Sequence, residues 1–199
     1  MAQNSAPDGN KRRLLLGATS VVGAAGAAFV ATPFLSSLAP SARARAAGAP
    51  VEVDISKLEP GMMITVEWRG RPVWIIRRTK EILDTLPKAS EKVADPESGQ
   101  PLQPDYARNA TRSIKPEIAV LVGICSHLGC SPSAKMAIGP DSGFGDDWPG
   151  GFYCPCHGSK FDMAGRVFKG MPAPVNLTVP PHTYLTDTRL LIGEDKKGA

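Results

Sequence analysis

The chain has 199 residues, of which 42% are hydrophobic and 21% charged, and these values suit one small folded domain with an appended segment. Its formal net charge of +4 is too small to indicate nucleic-acid binding, and its few aromatic residues are not interleaved with basic ones, so no base-stacking surface is expected. The 20 glycines and 19 prolines favour a loop-rich β protein over a helical one.

The N-terminal region predicts a membrane anchor with an export signal. No residue in 14–42 is charged, and this span exceeds the ~20 residues that a helix needs to cross a bilayer. The basic cluster at 11–13 favours a cytoplasmic N-terminus, and adjacent arginines ahead of an apolar stretch are typical of a twin-arginine export signal. We therefore predict a cytoplasmic segment at 1–13 and a transmembrane anchor at 14–40.

A cleaved signal peptide is the main alternative to a retained anchor, because "ARARAA" (42–47) contains A-x-A patterns. The apolar region of a signal peptide usually has about 7–15 residues, and this one is much longer, so we expect the anchor to be retained. The stretch is rich in Gly and Ala, but its position and flanks argue against a buried helix of a soluble protein.

A β-rich domain is predicted to follow over 51–199, after a flexible hinge at 41–50 that is small, basic and proline-terminated. Its first part predicts a short helix over 79–86 with Thr79 as the N-cap. Runs rich in Val, Ile, Trp and Thr predict strands, at 51–55, 63–68 and 72–79.

Residues 87–115 are polar and proline-rich and predict a surface insertion. The later part of the domain again predicts strands and a hairpin around Gly165, so the fold class is all-β. His182 is expected in a turn, with a surface or structural role. Apolar and β-branched runs predict further strands, at 118–124, 176–179 and 189–193.

Two loops carry all four cysteines and two of the three histidines. Two disulfides would suit an exported domain but would leave the histidines unexplained. A zinc site needs four ligands, so six candidates overfill it, and neither loop has the C-x-x-C spacing of a thioredoxin-like motif. The six side chains are Cys125, His127, Cys130, Cys154, Cys156 and His157.

All six groups are used if each loop gives one cysteine and one histidine to a metal centre and its other cysteine to a disulfide. Two thiolates and two imidazoles suit a [2Fe–2S] cluster with sulfur ligands on one iron and nitrogen ligands on the other. Because neutral imidazoles replace anionic thiolates, the potential rises far above that of an all-cysteine cluster. Such a centre can take an electron from a quinol.

Together, "CSHLGC" (125–130) and "CPCHGS" (154–159) resemble the paired motifs of the Rieske iron–sulfur protein of cytochrome bc1 complexes. "GMPAPVNL" (170–177) is similar to the family's proline loop, and the runs from 51 and 66 look like those of bacterial members. The resemblance implies a Rieske-type antiparallel β domain, with a cluster-binding subdomain at about 120–175, tethered by one N-terminal transmembrane helix.

The resemblance also implies a division of the loop residues. One iron would be held by Cys125 and Cys154, and the other by His127 and His157. Cys130 and Cys156 would form the disulfide.

Neighbouring residues acquire roles from the same resemblance. Leu128 would shield the cluster and help it to dock, and Ser159 would donate a hydrogen bond to a cluster sulfur. His157 would be the preferred quinol contact, with His127 also near the tip, and Pro172 and Pro174 would stiffen a lid. Phe161 departs from the pattern, because the family often has a tyrosine there whose hydroxyl points at a ligand sulfur.

The activity that the resemblance implies is quinol–cytochrome c reduction with one [2Fe–2S] cluster per chain. The cluster would take one electron from quinol, a cluster histidine would take one proton, and the electron would pass to cytochrome c1. Cytochrome b and cytochrome c1 are the expected partners, in a complex that is dimeric in the family. The expected location is the bacterial inner membrane, with the soluble domain on the periplasmic side.

Three other functions remain open from the sequence. A Rieske ferredoxin of a dioxygenase would lack the extra cysteine pair and the anchor. A Rieske subunit of a molybdenum oxidase would be exported but is expected to lack the full anchor and proline-loop pattern. A structural zinc module would give no EPR signal.

Overall fold

The computed structural model describes residues 8–195, without the side chains of residues 43 and 47. The start of the predicted cytoplasmic segment 1–13 and the last four residues of the predicted 51–199 domain lie outside the described residues. Contacts divide the chain into two compact units between Ala46 and Ala47. Each unit is described by itself below.

The first unit is built on one long helix, α1, which spans Gly9–Ser37. Asp8 caps it, because its carboxylate accepts a hydrogen bond from the Asn10 N–H at 2.9 Å. Among residues 8–195 it is the one helix with the length and apolar composition to cross a membrane, with a mean hydropathy of 1.9 over its most apolar window. A second, short helix, α2 at Ala42–Ala47, lies where the sequence predicted a flexible hinge.

The second unit contains nine strands, which form three antiparallel sheets of three strands each among the described residues. The sheets have the strand orders β1-β9-β8, β2-β3-β4 and β5-β6-β7. The strands are β1 Val51–Asp54, β2 Met63–Trp68, β3 Arg71–Arg77, β4 Ile118–Val122, β5 Ser133–Lys135, β6 Gly151–Tyr153, β7 Lys160–Asp162, β8 His182–Thr186 and β9 Arg189–Ile192. The predicted antiparallel β domain is thereby confirmed.

Helix α3 spans Lys80–Ala89 and follows β3 directly. Thr79 is its N-cap, as predicted, and the Thr79 hydroxyl accepts a hydrogen bond from the Ile82 N–H at 3.3 Å. The helix ends at Ala89, three residues beyond the predicted end. Its buried face packs into the same apolar core as the two Cys/His loops.

Two apolar cores hold this unit together. One lies among β1, β2, β3, β4 and β9 and contains Trp68. The other contains Trp74, Phe152 and Phe161 together with the thiols of Cys125 and Cys154. Trp74 stacks on Phe152 with ring centroids 4.8 Å apart, which joins the second sheet to the third.

The prediction that 87–115 is a surface insertion is wrong for part of this segment. Arg112, Ser113 and Ala107 are buried. The Arg112 guanidinium donates to the Ala164 carbonyl at 3.1 Å, although the two residues are 52 positions apart. Polar side chains are expected to be exposed unless buried hydrogen-bond acceptors are available to them. Here such acceptors are available, because the turn around Gly165, far away in the chain, supplies its carbonyls.

The strand predicted at 176–179 is also wrong, because this segment is irregular. Its backbone groups bond to three separate segments: the Leu177 N–H donates to the Gly165 carbonyl at 2.8 Å, and the Val179 N–H donates to the Leu102 carbonyl at 2.9 Å. The Thr178 carbonyl accepts from the Val122 N–H at 2.8 Å. His182, predicted in a turn, is instead buried at the start of β8.

Candidate metal centre

The first Cys/His loop closes on itself through backbone hydrogen bonds. It follows β4, and the Cys125 N–H donates to the Cys130 carbonyl at 2.7 Å. The Gly129 N–H donates back to the Cys125 carbonyl at 3.1 Å. Gly129 has a φ of +84°, a conformation that residues with a Cβ adopt at a cost. The loop is therefore a closed turn of six residues that the glycine permits.

The second Cys/His loop has the same backbone pattern. It joins β6 to β7, and the Cys154 N–H donates to the Ser159 carbonyl at 2.8 Å. The Gly158 N–H donates back to the Cys154 carbonyl at 2.9 Å, and Gly158 has a φ of +80°. Cys125 and Cys154 thus occupy equivalent first positions, which explains why each loop carries a glycine four residues after its first cysteine.

A disulfide bond joins the two loops through Cys130 and Cys156. This is the pairing that the family resemblance implied. The Cys130, Cys154 and Cys156 sulfur atoms all lie within 4.8 Å of one another. Because two of these sulfurs are bonded to each other, the thiols left to bind a metal are Cys125 and Cys154.

These two thiols are buried together, each with 2% exposure. Burial is the main cause that raises the pKa of the Cys125 thiol, and the neighbouring Cys154 thiol raises it further. The His127 backbone N–H and the Ser159 hydroxyl, which hydrogen-bond the Cys125 sulfur, lower its pKa. A buried thiol whose pKa is raised, such as that of Cys125, becomes a thiolate when a metal cation supplies the balancing charge.

The two loop histidines lie side by side. Their ring centroids are 4.6 Å apart and the rings are perpendicular, at 88°. Nδ1 of His127 is buried and has no hydrogen-bond partner among residues 8–195. A buried nitrogen left unpaired is costly, and a metal ion would satisfy it.

Exposure differs between the two imidazoles. His157 is exposed, whereas His127 is half-buried. Leu128, predicted to shield and dock the centre, is 71% exposed beside them. This end of the domain therefore presents one apolar side chain and one ionisable ring to solvent.

The proline loop lies against the second Cys/His loop. The Ser159 hydroxyl is buried and accepts a hydrogen bond from the Ala173 N–H at 3.0 Å. Pro172 and Pro174, on either side of Ala173, are both exposed. Phe161 is completely buried in the apolar core that also contains the two thiols.

The donor set of the two loops fits an iron–sulfur cluster with mixed ligands. Two buried thiols, one imidazole with an unpartnered nitrogen and a second imidazole beside it are the groups that a Rieske [2Fe–2S] cluster requires. Zinc would also accept two thiolates and two imidazoles, so the donor set alone does not distinguish the two metals.

Sequence reasoning missed a buried ionic network beneath this centre. Asp162 and Arg166 form a buried ion pair with 2.7 Å between Oδ2 and Nε. Asp162 also accepts hydrogen bonds from the Ala164 and Arg166 N–H groups, each at 2.9 Å, so it closes the turn around Gly165. An aspartate two residues before a turn N–H is a local signal that could have been found.

Two further arginines hold the same turn, and no local signal points to them. Arg78 donates to the Met163 carbonyl at 3.1 Å, and Arg112 donates to the Ala164 and Gly165 carbonyls. Burial lowers the pKa of each guanidinium to about 10. The turn that follows the second Cys/His loop is therefore fixed by charges from distant segments.

Comparison with known proteins identifies the family. Residues 50–181 match the Rieske [2Fe-2S] domain, and residues 1–41 match the family described as "Ubiquitinol-cytochrome C reductase Fe-S subunit TAT signal". The ubiquinol-cytochrome c reductase iron-sulfur subunit of Allochromatium vinosum is 60% identical over 189 residues, which cover 95% of this chain and 91% of that relative. The subunit of the same name from Blastochloris viridis is 43% identical, with 97% of this chain and 98% of that relative covered.

A solved structure named hyperthermophilic respiratory Complex III aligns with 89% of this chain and 98% of its own, at 26% identity and a TM-score of 0.46. The family assignment depends on the sequences and not on this alignment. Together with the paired loops, the sequences leave one conclusion. The chain belongs to the Rieske [2Fe-2S] family, among the iron–sulfur subunits of ubiquinol–cytochrome c reductase.

Proposed function

We propose that this chain is the Rieske subunit of a cytochrome bc1 complex, which oxidises quinol and passes the electron to cytochrome c1. The observation that carries the proposal is the arrangement of the loops. Cys125 and Cys154 are buried, while His127 and His157 lie 4.6 Å apart at the end of the domain where His157 is exposed. The ligands on the buried side hold a metal, and the ring on the exposed side can meet a substrate.

The proposed ligand set assigns Cys125 and Cys154 to one iron and His127 and His157 to the other. The unpartnered Nδ1 of His127 supports its part in this set. Cys130 and Cys156 are excluded as ligands by the bond between them, which ties the two loops together. The bound cluster would supply a one-electron acceptor whose potential is raised by its neutral imidazole ligands.

The proposed catalytic role of the chain is to bind the quinol hydroxyl and to take its proton. His157 is placed for this role, since it is exposed, and the ring nitrogen not used for ligation can accept the hydrogen bond. Leu128, 71% exposed next to the histidines, would cover the centre when the domain docks and would exclude water there. His127 is half-buried and is the weaker candidate for the substrate contact.

The proposed location is the bacterial inner membrane, with the second unit on the periplasmic side. The twin-arginine match over residues 1–41 and the apolar helix α1 support export with a single retained span. Cytochrome b and cytochrome c1 are the proposed partners, within a dimeric complex. Segment 41–50 would then act as the hinge that lets the domain reach both.

The experiment compares histidine variants in isolated membranes. Iron content, the EPR spectrum of the reduced protein and quinol–cytochrome c reductase activity are measured for His157→Ala. We expect all three to be lost. His182→Gln is the matched control, because His182 is the third histidine of the chain and is buried at the start of β8, outside both Cys/His loops in the sequence. It should keep the iron and the signal.

Three results would each contradict part of the proposal. Retention of iron and turnover in His157→Ala would exclude this residue as a ligand. A reduced wild-type protein without an EPR signal would favour zinc, which has no unpaired electron. A quinol-site inhibitor that leaves the EPR signal unshifted would refute the quinol contact but not the cluster.

A further inference from the structure

A cavity of about 310 Å³ lies beside the second Cys/His loop. Its lining fixes this position, because Lys160 comes directly after Ser159 of that loop and Met171 belongs to the proline loop. Lys92 and Lys169 also line it, and the Lys169 N–H donates to the Lys92 carbonyl at 2.9 Å. We call this space the lysine cavity, after its three lysines.

Aromatic rings form the walls of the lysine cavity. Trp148 stacks on Phe144 with ring centroids 4.9 Å apart and on Phe168 with centroids 5.8 Å apart. The Lys160 ammonium lies 5.3 Å from the Phe144 centroid and 5.9 Å from the Trp148 centroid, which is within the range of a cation–π interaction. Lys160 is half-buried, so the rings hold its charge inside the cavity.

The lysine cavity carries more positive than negative charge. Among the described residues that line it, Asp147 is the one acidic side chain, and it pairs with Lys92 at 3.1 Å. Neither Lys160 nor Lys169 forms an ion pair with an acidic side chain within residues 8–195, and the Lys169 ammonium donates to the backbone carbonyl of Glu91 at 2.9 Å. An adjoining cavity of about 260 Å³ is lined by two lysines and two aspartates, so the unbalanced charge lies on the side of the second Cys/His loop.

The ion pair between Lys92 and Asp147 can be opened by a competing carboxylate. The two side chains are 49% and 91% exposed, and ion pairs this exposed to water stabilise a protein little. A carboxylate from another molecule can therefore replace Asp147 at Lys92 while the charge of Lys92 stays neutralised.

We propose that the lysine cavity is a docking site for an acidic segment of another subunit, in which carboxylates lie beside an aromatic or apolar side chain. The carboxylates pair with Lys160 and Lys169, and the apolar side chain packs on Phe144 and Phe168. A flat layer of anionic lipid headgroups fits less well, because the Lys160 charge lies inside a cavity, against two rings. The proposal rests on the proposed function in one respect, which is that the chain works within a complex.

Acetylation of lysine amines in the intact complex tests this contact, with peptide mass spectrometry to measure the rate at each lysine. Lys160 and Lys169 should react at least about threefold more slowly in the complex, purified in an uncharged detergent, than in the isolated full-length chain in that detergent. The protection should weaken at high ionic strength. Lys80, which pairs with Asp84 outside the cavity, is the control and should react equally in both samples.

Two results of this experiment would overturn the proposal. Equal rates at Lys160 and Lys169 in the complex and in the isolated chain would show that no subunit covers the cavity. Protection that is present in membranes and absent from the purified complex would assign the surface to lipid.

A carbodiimide, which couples an amine to a carboxylate in direct contact, identifies the partner. We expect a product that joins Lys160 or Lys169 to an aspartate or glutamate of another subunit. Asp147→Asn removes the competing carboxylate and should raise the yield by about two- to fivefold. Asp187→Asn is the matched control, because it removes an exposed ion pair with Lys115 elsewhere on the domain and should leave the yield unchanged.

An unchanged yield in Asp147→Asn, or a product that joins residues of this chain alone, would contradict the proposal. Lys160→Gln should also lower the yield at Lys169, because part of the attraction for the acidic segment is lost. The iron content and the EPR signal of these variants should equal those of the wild type, since the cavity supplies no proposed ligand. The docking proposal can therefore fail while the proposed cluster and quinol oxidation stand.

Discussion

Replacing Phe161 by tyrosine adds one hydroxyl to the buried core beside the metal centre. Phe161 lies in β7 opposite Phe152 of β6 and is fully buried in the apolar cluster that contains Cys125 and Cys154. The new hydroxyl can be in one of two environments. It reaches a ligand sulfur and donates to it, or it remains without a partner in an apolar site.

The two environments change different properties: the first changes the midpoint potential and the second changes the unfolding free energy. A donor to a ligand sulfur that favours the reduced state by ~0.7–1.4 kcal/mol raises the midpoint potential by roughly 30–60 mV. An unpartnered buried hydroxyl instead costs about 1–3 kcal/mol of unfolding free energy and leaves the potential unchanged. We expect the hydroxyl to donate to a ligand sulfur, so Phe161→Tyr should raise the midpoint potential with little loss of stability.

The assay pairs an EPR redox titration with thermal unfolding of the oxidised protein. Phe152→Tyr is the control, because it adds the same hydroxyl to the cross-strand neighbour, whose ring stacks on Trp74 at 4.8 Å. That variant should lose stability without a rise in potential. A Phe161→Tyr protein with an unchanged potential and a lowered unfolding temperature would refute the reasoning.

Three further predictions concern stability. Replacing Cys130 and Cys156 together by serine should cost about 3–4 kcal/mol in denaturant unfolding, since the bond closes a loop with a separation of 26 residues; unchanged stability would refute this. Arg112→Met should lower the unfolding free energy by about 2–4 kcal/mol, because the buried acceptors of its guanidinium lose their donor. The exposed Arg108→Met should cost little, and equal losses in the two variants would contradict the buried role of Arg112. Burial lowers the pKa of His182 in the folded protein below its ordinary value of 6.5. As the pH falls, His182 is therefore protonated in the unfolded chain before it is protonated in the folded one. The stability that His182 contributes above pH 6.5 is lost as the pH falls below 6.5. His182→Gln should weaken this fall in thermal unfolding between about pH 7.5 and 5.5, and an unaltered slope would exclude His182 as its cause.

The elements predicted well from the sequence are those with local signals. Strand β2 spans Met63–Trp68, as predicted from its β-branched and aromatic residues between turn glycines. Thr79 is the N-cap of α3, because a side-chain oxygen three residues before a free N–H is a local capping arrangement. In β4 all five residues are buried, as a continuous apolar run indicates.

The elements predicted wrongly depend on partners far away in the chain. The run at 176–179 looks like a strand, but its N–H groups find acceptors in Gly165 and Leu102, so no ladder forms. Arg112 is polar and would be exposed in isolation, yet carbonyls 52 and 53 residues ahead accept its guanidinium. Neither contact has a periodicity or a spacing that a sequence reveals.

The candidate site also combines features that the sequence predicts with features that only the folded chain shows. The crowding of cysteines and histidines in two short loops is visible in the sequence, because six such side chains at this spacing are typical of a metal centre. The spacing did not show which cysteines are bonded, and the pairing came from the resemblance before the structure gave the Cys130–Cys156 bond. The Ala173 contact to Ser159 spans 14 residues and needs the folded proline loop, so no sequence pattern contains it.

The equivalence of the two loops explains why the histidines differ. In both loops the first position is a buried cysteine and the fifth is a glycine, and the same two backbone bonds close the turn. His127 occupies the third position of its loop, whereas His157 occupies the fourth position of the other. The fourth positions are exposed in both loops, since Leu128 is 71% exposed and His157 is exposed, while His127 is half-buried. Because the two histidines are offset by one position in their loops, the His127 imidazole is half-buried and the His157 imidazole is exposed. In the first loop the exposed fourth position is occupied by Leu128. Two identical loops would present two equal rings, whereas this pair exposes one ring and one apolar side chain.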